Sequence, residues 1–344
     1  SYGIGASAVE RSDNLYTYLR ITDIRDDGTL NMADLKSVDD AKASQYLLRP
    51  NDIVFARTGA STGRNYFYDG TDGEFVYAGF LIKFSIDPGK VNPKYIKYYC
   101  MSDAYKGWVH SFNTGSTRGN INAQTLGGMP IPLPPRFQQD GLVDILSSLD
   151  AKIRKNVALN ENLYEQLTSY YKHLFSAITP STSVGELVDS IFSGGTPSTS
   201  NEAYWNGDHY WLSSGETSER FIVSTIKTIT DAGVSNSSTR KANKYDIVIA
   251  SAGQGHTRGQ TSMLLTDTYV NQSIIVVHAA PDYLPYLFWN IANRYEELRV
   301  ISNSNSIRGS LTTKMIGSLS IPKADITQIR QFSDYAWPIV KAVE

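Results

Sequence analysis

The amino-acid sequence predicts an α+β protein made of two homologous domains joined by a long helix, with the helices after each copy forming an antiparallel coiled coil. Three observations carry this prediction. The chain repeats itself at a period of about 190 residues, far longer than a solenoid or propeller repeat. Each copy mixes short β-branched strands with one or two helices and many Gly/Asn/Ser turns. Between the copies runs a long proline-free heptad pattern. A chain of 344 residues accommodates two cores more readily than one. The expected division is 1–135 for the first domain, 136–179 for the spacer helix, 180–324 for the second domain and 325–344 for a second, truncated coiled-coil helix.

The duplication is read element by element. Arg49-Pro50-Asn51 leads into the strand Asp52-Ile53-Val54-Phe55-Ala56, and Asn243-Lys244-Tyr245 leads into Asp246-Ile247-Val248-Ile249-Ala250. Each strand enters a glycine-rich loop, Gly59 to Arg64 in one copy and Gly253 to Gly259 in the other. An apolar strand follows (Phe80 to Phe84 against Ser273 to Val277), then a Tyr-rich helical stretch (Pro93 to Trp108 against Pro285 to Leu298). Ser116-Thr117-Arg118-Gly119 then matches Ser306-Ile307-Arg308-Gly309, and Ile131-Pro132 matches Ile321-Pro322. The copies diverge most at Asp23–Gln45 against Glu216–Lys241, as expected of one scaffold carrying different binding loops. The second copy has a lead-in, Ser183 to Val188, for which no equivalent is evident in the first.

Pro130-Ile131-Pro132-Leu133-Pro134-Pro135 ends the first domain, because proline bars both helix interior and central strand. Leu142, Leu146, Leu149, Ile153, Asn156, Asn160, Leu163, Leu167, Tyr170 and Leu174 then alternate spacings of four and three, the seam of a coiled coil. Phe137 to Ile178 makes a helix of roughly 60 Å at 1.5 Å per residue. Ile326, Ile329, Ser333, Ala336 and Val340 repeat the alternation and supply a partner helix. The alternative is one long core helix of a globular domain.

Composition excludes several classes. No run of about eighteen apolar residues exists to span a membrane. The N-terminal residues carry neither a charged leader nor an apolar signal core. The single cysteine excludes an internal disulfide framework and suits a reducing cytoplasm. With five histidines scattered along the chain, a structural zinc site is not expected. A formal net charge of −2 leans against nucleic acid, since phosphate neutralisation needs cations. Positive charge must therefore be concentrated locally or supplied by a partner. No catalytic constellation is present: no Gly-Lys-Ser/Thr follows Gly59, neither Gly3-Ile4-Gly5 nor Gly253-Gln254-Gly255 sits in a βαβ pattern, and Asn92-Pro93-Lys94-Tyr95 lacks the second proline of an amino-methyltransferase motif.

Taken in order, several stretches resemble the specificity (S) subunits of type I restriction–modification systems. They are Tyr18 to Ile24, Asp52-Ile53-Val54, the two Ser-x-Arg-Gly segments, the Ile-Pro-Leu-Pro-Pro boundary and Ile191 to Ser198. Each is a weak motif alone, and the resemblance covers essentially the whole chain. It implies a non-catalytic protein whose copies are target-recognition domains, each reading one half of a split double-stranded DNA site. It further implies methyltransferase (M) subunits, restriction (R) subunits and no membrane. The chain itself would hold no cofactor, while its partners use S-adenosylmethionine, ATP and magnesium. The competing reading is a protein–protein scaffold built from a duplicated adaptor, without DNA contact.

A DNA-reading surface needs cations for phosphates and forked or amide side chains for base edges. The candidates in the first copy are Arg57, Ser61, Thr62 and Arg64 at the glycine loop, and Asn113, Ser116 and Arg118 further on. In the second they are Gln254, His256, Thr257 and Arg258 at the loop, the basic spot Arg240, Lys241 and Lys244, and Asn303, Asn305 and Arg308. The plain alternatives are a tight turn for the glycines and a structural ion pair for the arginines. Tyr16, Tyr18, Tyr204, Trp205, Tyr210 and Trp211 are read as core aromatics that could instead stack on bases.

Overall fold

The computed structural model describes residues 1–112, 120–253, 255–303 and 309–343. The chain divides into two compact units, Ser1–Lys155 and Asn156–Glu344, and the division falls inside one long helix.

The first unit contains β1 (Ala8–Val9), β2 (Tyr16–Leu19), β3 (Lys36–Val38), β4 (Asp52–Ala56), β5 (Asn65–Tyr68), β6 (Phe75–Tyr77) and β7 (Leu81–Ser85). Helices α1 (Pro93–Tyr99), α2 (Asp103–Ser111), α3 (Ala123–Gly127) and the start of α4 (Arg136–Phe175) follow. The strands form two sheets, ordered β1-β3-β2-β6 and β5-β4-β7. Five successive residues of β4 are buried, because the strand is paired on both edges and covered on both faces. One face meets Tyr95, Ile96, Tyr105 and Val109 of the helices; the other meets Leu19, Phe75 and Leu81. Such a strand reads as a continuous apolar run, which Asp52-Ile53-Val54-Phe55-Ala56 is.

The second unit repeats this plan. Its strands are β8 (Pro180–Ser183), β9 (Ser190–Ser193), β10 (Trp205–Leu212), β11 (Phe221–Ile222), β12 (Lys227–Ile229), β13 (Arg240–Ala242), β14 (Ile247–Ala250), β15 (Thr261–Leu264), β16 (Thr268–Val270), β17 (Ile274–His278) and β18 (Ser320–Pro322). Its helices after the end of α4 are α5 (Asp231–Ser235), α6 (Leu284–Ala292), α7 (Tyr295–Asn303), α8 (Thr313–Gly317) and α9 (Ile326–Val343). The sheet β11-β15-β14-β17-β9 centres on β14 as the first centres on β4. The sheet β12-β10-β16-β13 pairs β10 with β16 in parallel, as β2 pairs with β6.

Registers extend the duplication beyond what residue identities reveal. Tyr2 bridges Ile82 in the first unit as Ser193 pairs with Ile275 in the second. Ile4 N donates to Tyr77 O, and Gly195 N donates to Val270 O. The Tyr18 hydroxyl donates to Ile4 O, and the Trp211 indole N–H donates to Gly195 O. Residues 1–5 therefore take the positions of 192–196. Phe192 to Thr196, downstream of the lead-in Ser183 to Val188, thus has a counterpart in the first copy, hidden from the sequence because only one of the glycines is shared. Tyr18 and Trp211 are core residues, 3% and 4% exposed, and their polar atoms are satisfied by that carbonyl.

The long helix departs from the expected seam. In the first unit its buried side is Gln139 and Val143. Asp140 accepts from Asn92, and Asp150 accepts from Lys97 and Tyr98. Leu142, Leu149 and Ile153 of the expected seam are exposed. In the second unit Leu167, Tyr171 and Phe175 enter the core with Ile329, Phe332, Ala336 and Val340 of α9. Tyr170 meets Phe332 and Tyr335, while Val157 and Asn160 share a cleft with Val343. The two helices thus run antiparallel there. A helix of 3.6 residues per turn drifts off a strict heptad, and the face each segment buries is set by its own unit. No helix among the described residues is long and apolar enough to cross a membrane.

Two outcomes test this packing. A Cβ at Gly3 would lie 2.2 Å from Tyr77 O, and one at Gly194 would lie 2.0 Å from Val270 O. Gly3→Ala and Gly194→Ala should each destabilise their unit by about 1–3 kcal/mol in denaturant titrations. Gly107→Ala on α2 meets nothing and should stabilise by roughly 0.5–1 kcal/mol. The Cys100 thiol, 2% exposed, is pushed up to about 12 by burial. Because the thiolate is the nucleophile, a thiol reagent at neutral pH should label Cys100 only after unfolding; rapid labelling of the native chain would contradict the packing.

Candidate nucleic-acid interface

The central strand of each unit delivers the glycine-rich loop. Beyond β4, Arg57 N donates to Phe80 O, and beyond β14, Ser251 N donates to Ser273 O. Each loop then closes on its own strand: Gly63 N returns to Ala56 O and Gly259 N to Ala250 O, both at 2.9 Å. Gly63 and Gly259 have φ of +88° and +89°, a conformation open to glycine at little cost. A Cβ at Gly63 would also strike Val109 of α2 at 2.5 Å. The closed loops hold six residues (57–62) and eight (251–258), so one frame carries different contents.

In each copy a later stretch of the chain pairs with the start of the glycine loop. Ile121 N donates to Arg57 O and Leu311 N donates to Ser251 O, and Thr58 bridges Asn120. Asn120–Ile121 and Leu311 therefore lie alongside the first residues of the glycine loops. Asn113, Ser116, Arg118, Gln254, Asn305 and Arg308 lie outside the described residues.

The described candidates have definite partners. The Arg57 guanidinium lies 5.0 Å over the Tyr2 ring, and its buried Nε has no hydrogen-bond partner. Ser61 ends a single helical turn, Gly59–Ser61, and the Thr62 hydroxyl donates to Gly59 O at 2.7 Å. Arg64 lies past the closure and forks onto Asp26, with Nε to Oδ1 at 2.6 Å and an Nη to Oδ2 at 3.1 Å. By register its counterpart is Gln260, and Arg258 takes the place of Thr62. Arg258 donates to Gly309 O and to the Asn303 side chain, and its Nε is also buried without a partner. His256 is exposed, and Thr257 O accepts from Gln260 N. In the basic spot, Arg240 lies 3.9 Å over the Phe192 ring, Lys241 pairs with Asp267 at 2.7 Å, and Lys244 lies over Tyr245.

Residue patterns did not reveal what braces these loops from behind. The Tyr105 hydroxyl donates to Gly63 O at 2.6 Å, and the Tyr295 hydroxyl donates to His256 O at 2.7 Å. Arg299 adds a bond to Gly255 O at 2.6 Å. Burial raises Tyr105 well above the usual phenol range, so it stays a donor. The signal was present, since both tyrosines stand in the repeated Tyr-rich stretch, but hydroxyl direction is not encoded in spacing. No group of three or more His, Cys, Asp or Glu able to hold a metal occurs among the described residues.

Two copies of one loop frame, held on buried strands and carrying different polar side chains, define a two-headed recognition protein. Residues 8–168 match the family described as the type I restriction modification DNA specificity domain. The whole fold is similar to the type I restriction–modification system S subunit from M. genitalium, with a TM-score of 0.57 at 15% identity, covering 98% of this chain and 87% of that one. The HsdS subunit from Thermoanaerobacter tengcongensis aligns over 99% of this chain and 87% of that one, at 14% identity and a TM-score of 0.37. Residues 8–168 thus carry the match to a type I restriction modification DNA specificity domain, and the chain shares its fold with the S subunit.

Tyr295→Phe removes one brace while keeping the ring. It should cost about 0.5–1.5 kcal/mol and speed amide exchange in the 255–258 loop without altering that of β14. Unchanged exchange there would mean the hydroxyl does not hold the loop.

Proposed function

We infer that each unit reads one half of a split double-stranded DNA site, and that the chain thereby directs methyltransferase and restriction subunits to that site. The observation that carries this reading is the repeated loop closure, Gly63 to Ala56 and Gly259 to Ala250, which presents different side chains from the same frame. Base edges are read by such polar side chains, whereas phosphates are held by cations and backbone N–H groups. Specificity subunits are non-catalytic. The reading assigns methyl transfer from S-adenosylmethionine, and cleavage dependent on ATP and magnesium, to the partner subunits, and it places the chain with its DNA in the cytoplasm. A scaffold without DNA contact is not favoured, because the family match in the first unit is to a DNA specificity domain.

Exchange of the first unit for that of another specificity subunit tests independence of the two readers. The junction belongs after Lys155, because Asp140, Val143 and Asp150 of α4 pack within this unit. Mapping methylated bases across the genome of cells carrying the hybrid should show one half-site changed and the other retained. A hybrid that altered both halves would mean the two copies read DNA jointly.

A further inference from the structure

We propose that Lys106 and His110 of α2 form, with the glycine loop of the first unit, a clamp for one backbone phosphate of DNA. This rests on the DNA-reading function above and adds two residues to it. They stand one helical turn apart, so both side chains lie on one face of α2. That face lines a cavity of about 390 Å³ together with Thr62, Gly63, Arg64 and Asn65. Neither side chain makes a hydrogen bond or ion pair among the described residues, and both residues are exposed. Arg64, Lys97 and Lys241, by contrast, are each held by a carboxylate.

The cavity's charge favours an anion. Its one carboxylate, Asp26, is already taken by Arg64, which leaves the Lys106 ammonium uncompensated. Its remaining lining adds no negative charge: Cys100 is a neutral thiol and the Tyr105 hydroxyl donates to Gly63 O. A phosphodiester oxygen entering beside Lys106 would also come within reach of the His110 imidazole, which lines the same cavity. Such contacts position the duplex and carry no sequence information. In the second unit Arg299 of α7 is instead committed to Gly255 O.

The test uses the full chain assembled with its methyltransferase partner and measures DNA affinity across a salt series. Lys106→Gln together with His110→Gln should weaken binding several-fold at physiological salt, equally for the cognate site and for DNA with the first half-site scrambled. The slope of log affinity against log salt should flatten by about 0.9, the contribution of one phosphate. Lys106→Arg should keep both. Ethylating single phosphates should interfere with wild-type binding at one position beside the first half-site, and that interference should vanish in the double variant. A free phosphate ion as the true ligand would leave the interference pattern unchanged, which overturns the proposal. Unchanged slope and affinity in a variant with wild-type thermal stability also overturn it, and if the double variant melts early, Lys106→Gln alone decides. Absence of site-specific binding by the wild-type assembly would instead refute the DNA-reading function itself.

Discussion

A strand buried on both faces and bonded along both edges can connect to the surface only at its ends, and β4 and β14 are such strands. Every residue of each is buried, and their neighbours β5 and β7, or β15 and β17, occupy both ladders. The backbone leaving the strand must satisfy its polar groups at once, since an unpaired buried amide costs as much as a lost hydrogen bond. It does so by closing a loop on the strand's own last carbonyl. Phe80 O or Ser273 O accepts the first loop amide, and the last returns to Ala56 or Ala250. Loop position therefore follows from the core, and loop content is free to vary.

That separation explains how one scaffold can serve two targets. Six residues in one copy and eight in the other leave the closure unchanged, and the braces from α2 and α7 reach main-chain carbonyls rather than side chains. Bonds to carbonyls are indifferent to which residue supplies them. Substitutions within these loops need not disturb the fold.

With a net charge of −2, the chain pairs several of its cations locally. Asp26 holds Arg64 and Asp267 holds Lys241, both carboxylates being more than half exposed. Exposed pairs of this kind contribute only about 0–1 kcal/mol, so they orient these cations at little cost in stability. Arg258, tied to Gly309 and Asn303, belongs to a different class, since it joins the loop to the returning segment.

Much of this protein was written in its sequence. The duplication, the apolar runs Asp52 to Ala56 and Asp246 to Ala250, the proline stop before α4 and the glycine loops all follow from local rules of burial and turn geometry. The seam on α9 was also legible, because Ile329, Ser333, Ala336 and Val340 are buried as their spacing requires. Tertiary structure alone decided the rest. It made Ser1 to Gly5 the equivalent of Phe192 to Thr196, each within its own unit, through carbonyl partners that no residue identity announces. It turned Gln139 and Val143 inward in place of Leu142 and Leu149, because a helix buries whatever face its neighbours cover. It also separated Arg64 from Arg258, which the glycine pattern had grouped, since hydrogen-bond register rather than spacing determines which residues share a position.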